Sequence, residues 1–370
     1  EPEPPAPVTE PEKTFEEVLD EHPVSIQVNG QWQTFPNARA AEEAAYGEYK
    51  DNLRRTAENF RITDDHLGEG GPKAKFQANI AAIKLLKYLE ETTEQATPEQ
   101  QKILSRYVGW GGLADAFDPE KPAWAAEYTQ LKELLTPEEY TAARGSTLNA
   151  HYTSPTVIRA IYETVGRMGF ETGNILEPSC GVGNFFGMLP EKMRNSHLYG
   201  VELDPVSGRI AKQLYPKADI TVGGFETTDR RDFFDLAIGN VPFGQYQVND
   251  KAYNKLSFSI HNYFFAKALD QVRPGGVVAF VTSRYTMDAK DSTVRRYLAQ
   301  RAELLGAIRL PNDAFKKNAG AEVVSDIIFL QKRDRPLDIA PEWTQTGQTE
   351  DGFAINRYFI DHPEMVLGRQ

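Results

Sequence analysis

Asn240, Val241, Pro242 and Phe243 combine an amide, a backbone carbonyl before proline and an aromatic ring, directly after a short apolar run. The exocyclic amine of a base is a poor nucleophile because its lone pair is delocalised into the ring. Transfer of a methyl group to that nitrogen therefore needs acceptors for both amino hydrogens. The Asn240 side-chain oxygen and the Val241 carbonyl could accept them while Phe243 stacks on the base. All four are candidate catalytic residues, although an isolated Asn-X-Pro-Phe would be a core turn.

A glycine-rich turn lies upstream, in the stretch EPSCGVGNFF from Glu177 to Phe186. Gly181 and Gly183 would let the backbone approach a ligand, and a following helix would offer free N–H groups. A pyrophosphate-binding turn needs a small residue where Phe186 stands, so a dinucleotide is disfavoured. Glu202, nineteen residues after Gly183, could accept both hydroxyls of a ribose. A solvated acid is the alternative, but the preceding glycine turn favours the ribose role.

S-adenosylmethionine differs from a dinucleotide because it carries an amino acid with its own charges. Glu177 could accept its ammonium group, and Thr153 or nearby backbone N–H groups could bind its carboxylate. These residues predict S-adenosylmethionine as the cofactor, with no metal. The candidate cofactor-binding residues are Thr153, Glu177, Ser179, Gly181, Gly183, Glu202, Leu203 and Phe225.

Cys180 is the single cysteine of the chain, so a disulfide within the chain and a cysteine-built metal cluster are excluded. This cysteine usage predicts the cytoplasm. Cytosine-carbon methyltransferases use a thiolate that follows a proline after the fourth strand. Cys180 instead lies in the glycine turn, so we interpret it as a small buried filler. No run approaches the roughly 20 apolar residues that span a bilayer, and no membrane partner is expected.

After about residue 150, short apolar runs alternate with amphipathic segments. This alternation predicts an α/β fold with a mostly parallel sheet covered by helices, which binds ligands at the carboxyl ends of its strands. The predicted strands are 174–176, 198–201, 220–222, 236–239, 277–282, 304–308 and 325–330. The predicted helices lie near 156–167, 184–193, 205–214, 258–271 and 291–301.

The residues before the predicted sheet divide by composition. Residues 1–22 are rich in proline and glutamate and predict a linker, and residues 23–145 predict a mainly helical extension. Within that extension, alternating residues before Asn29-Gly30 favour a hairpin, and Gly109-Trp110-Gly111-Gly112 favours a packed turn over a ligand contact. Residues 146–335 form the predicted catalytic domain, and residues 336–370 a C-terminal tail. The fragment-like ends indicate a piece of a longer protein.

The formal net charge of −12 is concentrated at the start of the chain. The first 50 residues hold 11 acidic and 3 basic side chains, so the remaining chain is nearly balanced. A nucleic-acid contact would need a local basic patch or another part of the protein. The late basic residues that could track phosphates, or could simply be solvated, are Arg284, Lys290, Arg295, Arg296, Arg301, Lys316 and Lys317.

With these motifs in place, residues 150 to 333 resemble amino-methylating, adenine-specific DNA methyltransferases of the gamma arrangement, in which the cofactor turn precedes an Asn-Pro-Pro-Tyr/Phe motif. His151 to Pro155 is similar to the element before the cofactor turn, and Pro274 to Phe280 to a later strand entry. The resemblance implies a Rossmann-like class I methyltransferase with a seven-stranded sheet, S-adenosylmethionine as cofactor, and DNA as partner.

The stretches 60–65 and 108–112 are similar to very large proteins of conjugative elements and phages that join a methyltransferase to a helicase. This resemblance implies further helicase and target-recognition domains in a longer parent chain. Two positions depart from the family pattern. Val241 replaces the first proline of the catalytic motif, and Gly224 replaces an aspartate that binds the adenine amino group of the cofactor, a role that Glu226 could assume.

Other functions remain compatible with the same residues. Related motifs serve amino methylation of RNA guanine and protein glutamine, and the acceptor pair also fits the exocyclic amine of cytosine. A different class of protein is a catalytically inert methyltransferase fold that only positions DNA for a helicase.

Overall fold

The computed structural model describes residues 20–148, 152–312 and 324–368, together with residues 13, 14, 17, 18 and 314. The chain forms two compact units, which are described separately. The first comprises the described residues up to Ala57 together with Leu89–Thr97, and the second comprises Glu58–Tyr88 and the chain from Pro98 onward. The helical segments 58–88 and 98–148 therefore belong to the same unit as the predicted catalytic domain.

The first unit contains a hairpin and a helix. Strands β1 (Val24–Val28) and β2 (Gln31–Phe35) are antiparallel, and Asn29 and Gly30 between them both have positive φ, at 52° and 75°. Asn-Gly adopts this pair of dihedrals readily, which is why the sequence predicts the hairpin correctly. Helix α1 (Ala38–Thr56) is capped by Asn37, whose side chain accepts a hydrogen bond from the Ala40 amide at 2.9 Å.

The second unit begins with helices. They are α2 (Pro72–Glu91, of which the residues up to Tyr88 belong to this unit), α3 (Pro98–Leu104), α4 (Ala125–Leu134) and α5 (Pro137–Ser146), with 3₁₀ turns at Ala114–Phe117 and Pro122–Trp124. Residues three or four apart along α2 are buried, among them Phe76, Ile80 and Ile83, as the sequence periodicity predicts. Gln101 and Glu139 join this layer to the later part of the unit: Gln101 donates to the Leu214 carbonyl, and Glu139 pairs with Arg209 at 2.8 Å.

Seven strands form the central sheet in the order β5-β4-β3-β6-β7-β9-β8. Their bounds are β3 (Asn174–Glu177), β4 (His197–Glu202), β5 (Asp219–Val222), β6 (Phe234–Asn240), β7 (Val272–Ser283), β8 (Ala302–Arg309) and β9 (Ser325–Lys332). The first five strands are parallel, and β9 is antiparallel to both β7 and β8. The predicted mostly parallel, seven-stranded α/β fold of the class I methyltransferase type is confirmed.

Helices connect the strands where the sequence predicts them. They are α6 (Pro155–Arg167), α7 (Asn184–Gly187), α8 (Pro205–Leu214), α9 (Ile260–Gln271), α10 (Tyr285–Asp288) and α11 (Thr293–Arg301), with 3₁₀ turns at Glu191–Met193, Phe225–Thr227 and Asn254–Leu256. Almost every residue of α9 is buried, so this helix packs in the core beside β7. Helix α7 is shorter than the predicted 184–193.

The segment after residue 336 is part of the folded unit. It contains β10 (Thr346–Gln348), β11 (Ala354–Asn356) and α12 (Arg357–Asp361), with 3₁₀ turns at Glu342–Thr344 and Pro363–Met365. Trp343, Ile355 and Phe359 join the main hydrophobic core, and the buried Arg295 donates to the Thr344 carbonyl at 2.9 Å. Within the described segments, no helix combines the length and apolar character needed to cross a membrane.

Candidate active site

A cavity of about 470 Å³ opens at the carboxyl ends of β3, β4, β5 and β6. This volume lies in the range of small-molecule and cofactor sites. The lining includes most of the candidate residues, namely Thr153, Glu177, Ser179, Gly181, Glu202, Leu203, Phe225, Asn240, Val241 and Pro242. Gly183 and Phe243 are not among the lining residues. The structure thus brings the glycine turn and the Asn-Val-Pro corner to one edge of the sheet.

Glu177 ends β3, and Gly239 lies beside it on the neighbouring strand β6. The Glu177 side chain is 1% exposed, and its Oε2 atom has no hydrogen-bond partner. A Cβ atom at Gly239 would lie 2.6 Å from Glu177 Oε1, so glycine leaves room for the carboxyl group. Burial, and secondarily the nearby Glu202, raise the pKa of Glu177 well above its usual value. A buried acid without a partner suits a cationic ligand group.

The glycine turn follows β3 directly. Gly181 and Gly183 have φ of 57° and 89°, a region that glycine adopts without strain, and Gly183 starts α7. A Cβ at Gly181 would meet no atom within 4 Å, whereas one at Gly183 would collide with the Tyr215 ring. Gly183 therefore serves packing, and Gly181 faces open space. Cys180 is buried, as predicted for a filler, and burial raises the pKa of its thiol.

Glu202 ends β4 and organises the turn. Its Oε2 accepts a hydrogen bond from the Gly181 amide at 2.7 Å, and its Oε1 accepts one from the Asp204 amide at 3.0 Å. Burial nevertheless raises the pKa of Glu202 to about 7. Leu203, 73% exposed, also lines the cavity. The carboxyl group is positioned by two backbone amides at the cavity wall, and its ribose role stays a prediction.

Asn240 ends β6 on the other side of the cavity. Its Nδ2 donates to Thr153 Oγ1 at 3.1 Å, and its Oδ1 is buried and has no hydrogen-bond partner. Thr153 thus orients the Asn240 amide so that its acceptor stays available. Val241 is buried, and its amide donates to the Val281 carbonyl at 3.1 Å, which holds the start of the corner against β7.

In the loop after Asn240, the aromatic ring that lines the cavity is not the one that the sequence predicts. Phe243 is half-buried and packs against the main core, whereas Tyr246, 51% exposed, lines the cavity. Sequence reasoning missed Tyr246, although an aromatic residue three positions after the motif was a usable signal. The stacking role of Phe243 stays a prediction, and Tyr246 is a second ring available at the rim.

The turn after β5 forms another wall. Phe225 is 3% exposed and packs on Phe264 with ring centroids 4.9 Å apart. A Cβ at Gly224 would collide with the Glu226 carboxylate, so the Glu226 side chain fills the space that a side chain at position 224 would take. Glu226 also lines the cavity, which is where an acid replacing the family aspartate would have to lie.

Part of the cavity wall comes from the helical segment before the sheet. Val108, Gly109 and Trp110 line the cavity, together with Tyr107 and Tyr152. The sequence favoured a packed turn at Gly109–Gly112 over a ligand contact. The structure shows a buried Trp110 within a turn that also faces the cavity.

The described late basic residues differ in exposure. Arg295 is buried, and Arg301 lies over the Tyr297 ring at 3.5 Å, so both have structural roles. Arg284, Lys290 and Arg296 are exposed. Lys316, Lys317 and His151 lie outside the described residues.

The sheet order and the cavity at its carboxyl edge are those of the Rossmann-like fold of class I methyltransferases, whose cofactor is S-adenosylmethionine. The residues present are compatible with that group: Glu177 is a partnerless acid that could pair with an ammonium, Gly181 leaves open space, and Glu202 is a carboxyl group at the cavity wall that could accept ribose hydroxyls. Among the described residues, no cluster of potential metal ligands is found.

Comparison with known proteins agrees with this class. The family model for the Eco57I restriction-modification methylase matches residues 216–315. Defense against restriction protein B of Escherichia phage P1 is 28% identical over 280 residues, covering 74% of this chain and 11% of the phage protein. Type II methyltransferase M.CvrRI of Paramecium bursaria Chlorella virus XZ-6E is 42% identical over 83 residues, covering 22% of this chain and 21% of the viral protein. The chain thus spans a tenth to a fifth of the length of these relatives.

Among solved structures, a Listeria monocytogenes protein assigned to the class I S-adenosylmethionine-dependent methyltransferases superposes with a TM-score of 0.46 at 19% identity. The superposition covers 73% of this chain and 90% of that chain.

Proposed function

We propose that this chain methylates the exocyclic amino group of adenine in DNA. The observation that carries the proposal is the buried, partnerless Oδ1 of Asn240 in the same cavity as Glu177, Gly181 and Glu202. A buried acceptor without a partner costs about 1–3 kcal/mol, so its retention is best explained by a ligand donor. An exocyclic amine supplies that donor.

The chain's own groups perform three tasks in this reaction. When bound, S-adenosylmethionine supplies a methyl group on a positively charged sulfur. Asn240 Oδ1 and the Val241 carbonyl accept the two amino hydrogens, which keeps electron density on the nitrogen and fixes its position. Thr153 holds the Asn240 amide in the required orientation. Phe243 or Tyr246 supplies a ring for a base that has left the stack.

The comparisons support DNA as the substrate, because restriction-modification methylases and type II methyltransferases modify DNA bases. The Eco57I-type match spans β6 and the Asn-Val-Pro-Phe corner, where the acceptors lie. Because the chain covers 11% of the phage P1 protein, we further propose that target recognition and any helicase activity belong to other domains of a longer parent chain.

The deciding experiment measures transfer from tritium-labelled S-adenosylmethionine to unmethylated duplex DNA, with hydrolysis and separation of the labelled nucleosides. We expect label in N6-methyldeoxyadenosine. Label in a cytosine derivative, or transfer only to RNA or protein, would refute the adenine proposal and identify the alternative acceptor.

Calorimetry separates an inert module from an enzyme that lacks its target sequence. We expect S-adenosylmethionine to bind without DNA. No detectable binding at about 1 mM cofactor, in a chain that unfolds cooperatively, would favour the inert module instead.

A further inference from the structure

Tyr107, Val108, Gly109 and Trp110 are separated from the glycine turn by about 70 residues, yet they line the same cavity. The functional groups assigned so far all lie after residue 150 and give this segment no task. Its presence in the wall therefore requires its own explanation.

The segment is held rigidly from behind. The side chain of Asn79, which is completely buried, accepts a hydrogen bond from the Val108 amide at 2.9 Å and donates one to the Gly109 carbonyl at 2.6 Å. Trp110 packs edge-to-face on Phe117 and Phe76, with ring centroids 5.4 and 6.0 Å apart. A buried amide that pairs with backbone groups of two consecutive residues fixes the backbone of the segment more tightly than apolar packing alone would.

The segment also lies near the loop that follows Glu202. Tyr107 lines the cavity together with Asp204 and Ser207, and burial, followed by Asp204 and Glu202, raises the pKa of Tyr107 well above its usual value. Ser207 lies in the first turn of α8, whose N-cap is Asp204. The wall formed by Tyr107 to Trp110 therefore adjoins the Glu202 end of the cavity.

Gly109 is the residue of this segment whose backbone has open space in front of it. Its φ is 74°, and a Cβ there would meet no protein atom within 4 Å. A glycine with positive φ, open space in front and a clamped backbone behind lets a ligand contact the peptide itself. This is a separate feature from the glycine turn at Gly181 and Gly183.

We propose that the backbone of Val108 to Trp110 forms the second wall of the cofactor site and contacts the adenosyl half of S-adenosylmethionine. The helical segment before the sheet then contributes directly to cofactor binding. This inference rests on the cofactor, and it stands independently of whether adenine in DNA is the methyl acceptor.

The test substitutes Gly109→Leu and measures S-adenosylmethionine affinity by calorimetry without DNA. The matched control is Gly169→Leu. Gly169 also has a positive φ (97°), and a Cβ there would meet no protein atom within 4 Å. Gly169 follows α6, at the opposite edge of the sheet, and does not line the cavity. Both variants carry the same type of backbone strain. We expect Gly109→Leu to weaken binding by about tenfold or more and Gly169→Leu to leave the dissociation constant unchanged. Equal affinities in the two variants would overturn the proposal.

A second measurement uses the unmodified chain, so it does not depend on how a variant folds. Amide hydrogen exchange of residues 107–112 should slow on saturation with S-adenosylmethionine, with exchange along the middle of α6 as the internal reference. Unchanged exchange in residues 107–112 would overturn the proposal even if Gly109→Leu failed to bind. Because no acceptor substrate is present, failure of DNA methylation leaves both readouts interpretable.

Discussion

Replacing Asn240 by alanine should separate catalysis from stability. The substitution removes the hydrogen bond to Thr153 Oγ1, which contributes about 0.5–1.5 kcal/mol. It also removes the buried, partnerless Oδ1, whose desolvation costs about 1–3 kcal/mol. The two effects oppose each other, so the free energy of unfolding should stay the same or rise by about 1 kcal/mol.

Catalysis should respond in the opposite direction. If Oδ1 accepts an amino hydrogen in the transition state, its loss should lower turnover by about 10²–10³-fold, the usual cost of removing one such preorganised group. The affinity for S-adenosylmethionine should remain within about twofold of the parent chain, because Glu177 and Glu202 are untouched.

The assay combines labelled methyl transfer to DNA, calorimetric cofactor binding and urea unfolding on the same preparations. Thr153→Val is the matched control for the shared hydrogen bond: it removes the hydroxyl but keeps Oδ1, so turnover should fall less than in Asn240→Ala. Full turnover in Asn240→Ala would refute the acceptor role. A loss of several kcal/mol of stability would show that the amide is a structural group.

Three further predictions concern the surrounding groups. Between pH 4.5, the ordinary carboxyl pKa, and about pH 7, Glu202 is protonated in the folded chain and ionised in the unfolded chain. The free energy of unfolding should therefore fall as the pH rises through this window. Glu202→Gln should flatten that part of the pH profile, measured by urea unfolding. Glu226→Ala should weaken S-adenosylmethionine binding, measured by calorimetry, by about 1–2 kcal/mol. Adding Gly224→Asp to this variant should restore binding, because an aspartate at 224 needs the space that the Glu226 carboxylate now fills. No effect of Glu226→Ala would exclude this acid from the site. Lys267 and Asp250 form a nearly buried ion pair at 2.7 Å, so Asp250→Asn should destabilise the fold by about 3–5 kcal/mol, because it leaves the Lys267 charge unpaired. Lys267→Met should cost less, because the remaining Asp250 carboxylate still accepts hydrogen bonds from the Tyr263 hydroxyl and the Ala252 amide; equal unfolding midpoints for the two variants would contradict this.

The sheet could be predicted from the sequence because its signal is local. Each parallel strand is a short apolar run, and each run is followed by a helix start or a glycine, so all seven strands were identifiable without tertiary information. The predicted helix at 184–193 is too long. Helix α7 ends at Gly187, and Pro190 lacks the amide hydrogen needed to continue the helix. The strands β10 and β11, of three residues each, are too short to show a period in the sequence, and the turn before β10 is held by the distant Arg295.

The candidate site, like the fold, could be predicted only where its signal in the sequence is local. The order of glycine turn, acid and Asn-Val-Pro corner along the chain placed ten candidate residues around one cavity, because parallel strands present their carboxyl ends at one edge. The wall from Tyr107 to Trp110 could not be predicted, since it lines the cavity together with residues such as Ser207, a hundred positions later in the chain. The choice between Phe243 and Tyr246 depends on the path of a single loop, which no periodicity encodes.

Glu177 Oε2 and Asn240 Oδ1, two buried oxygens of this cavity without a hydrogen-bond partner, belong to groups that differ in charge. This difference distinguishes binding of the cofactor from binding of the amine. Glu177 Oε2 belongs to an acid whose pKa burial raises, so pairing with a cationic ammonium must lower that pKa and release a proton. Asn240 Oδ1 belongs to a neutral amide that has no proton to release. Cofactor affinity should therefore strengthen with rising pH until Glu177 is ionised in the free chain, whereas capture of the amine through Asn240 should not depend on pH. A pH dependence confined to the cofactor-binding step is what this pair of oxygens requires.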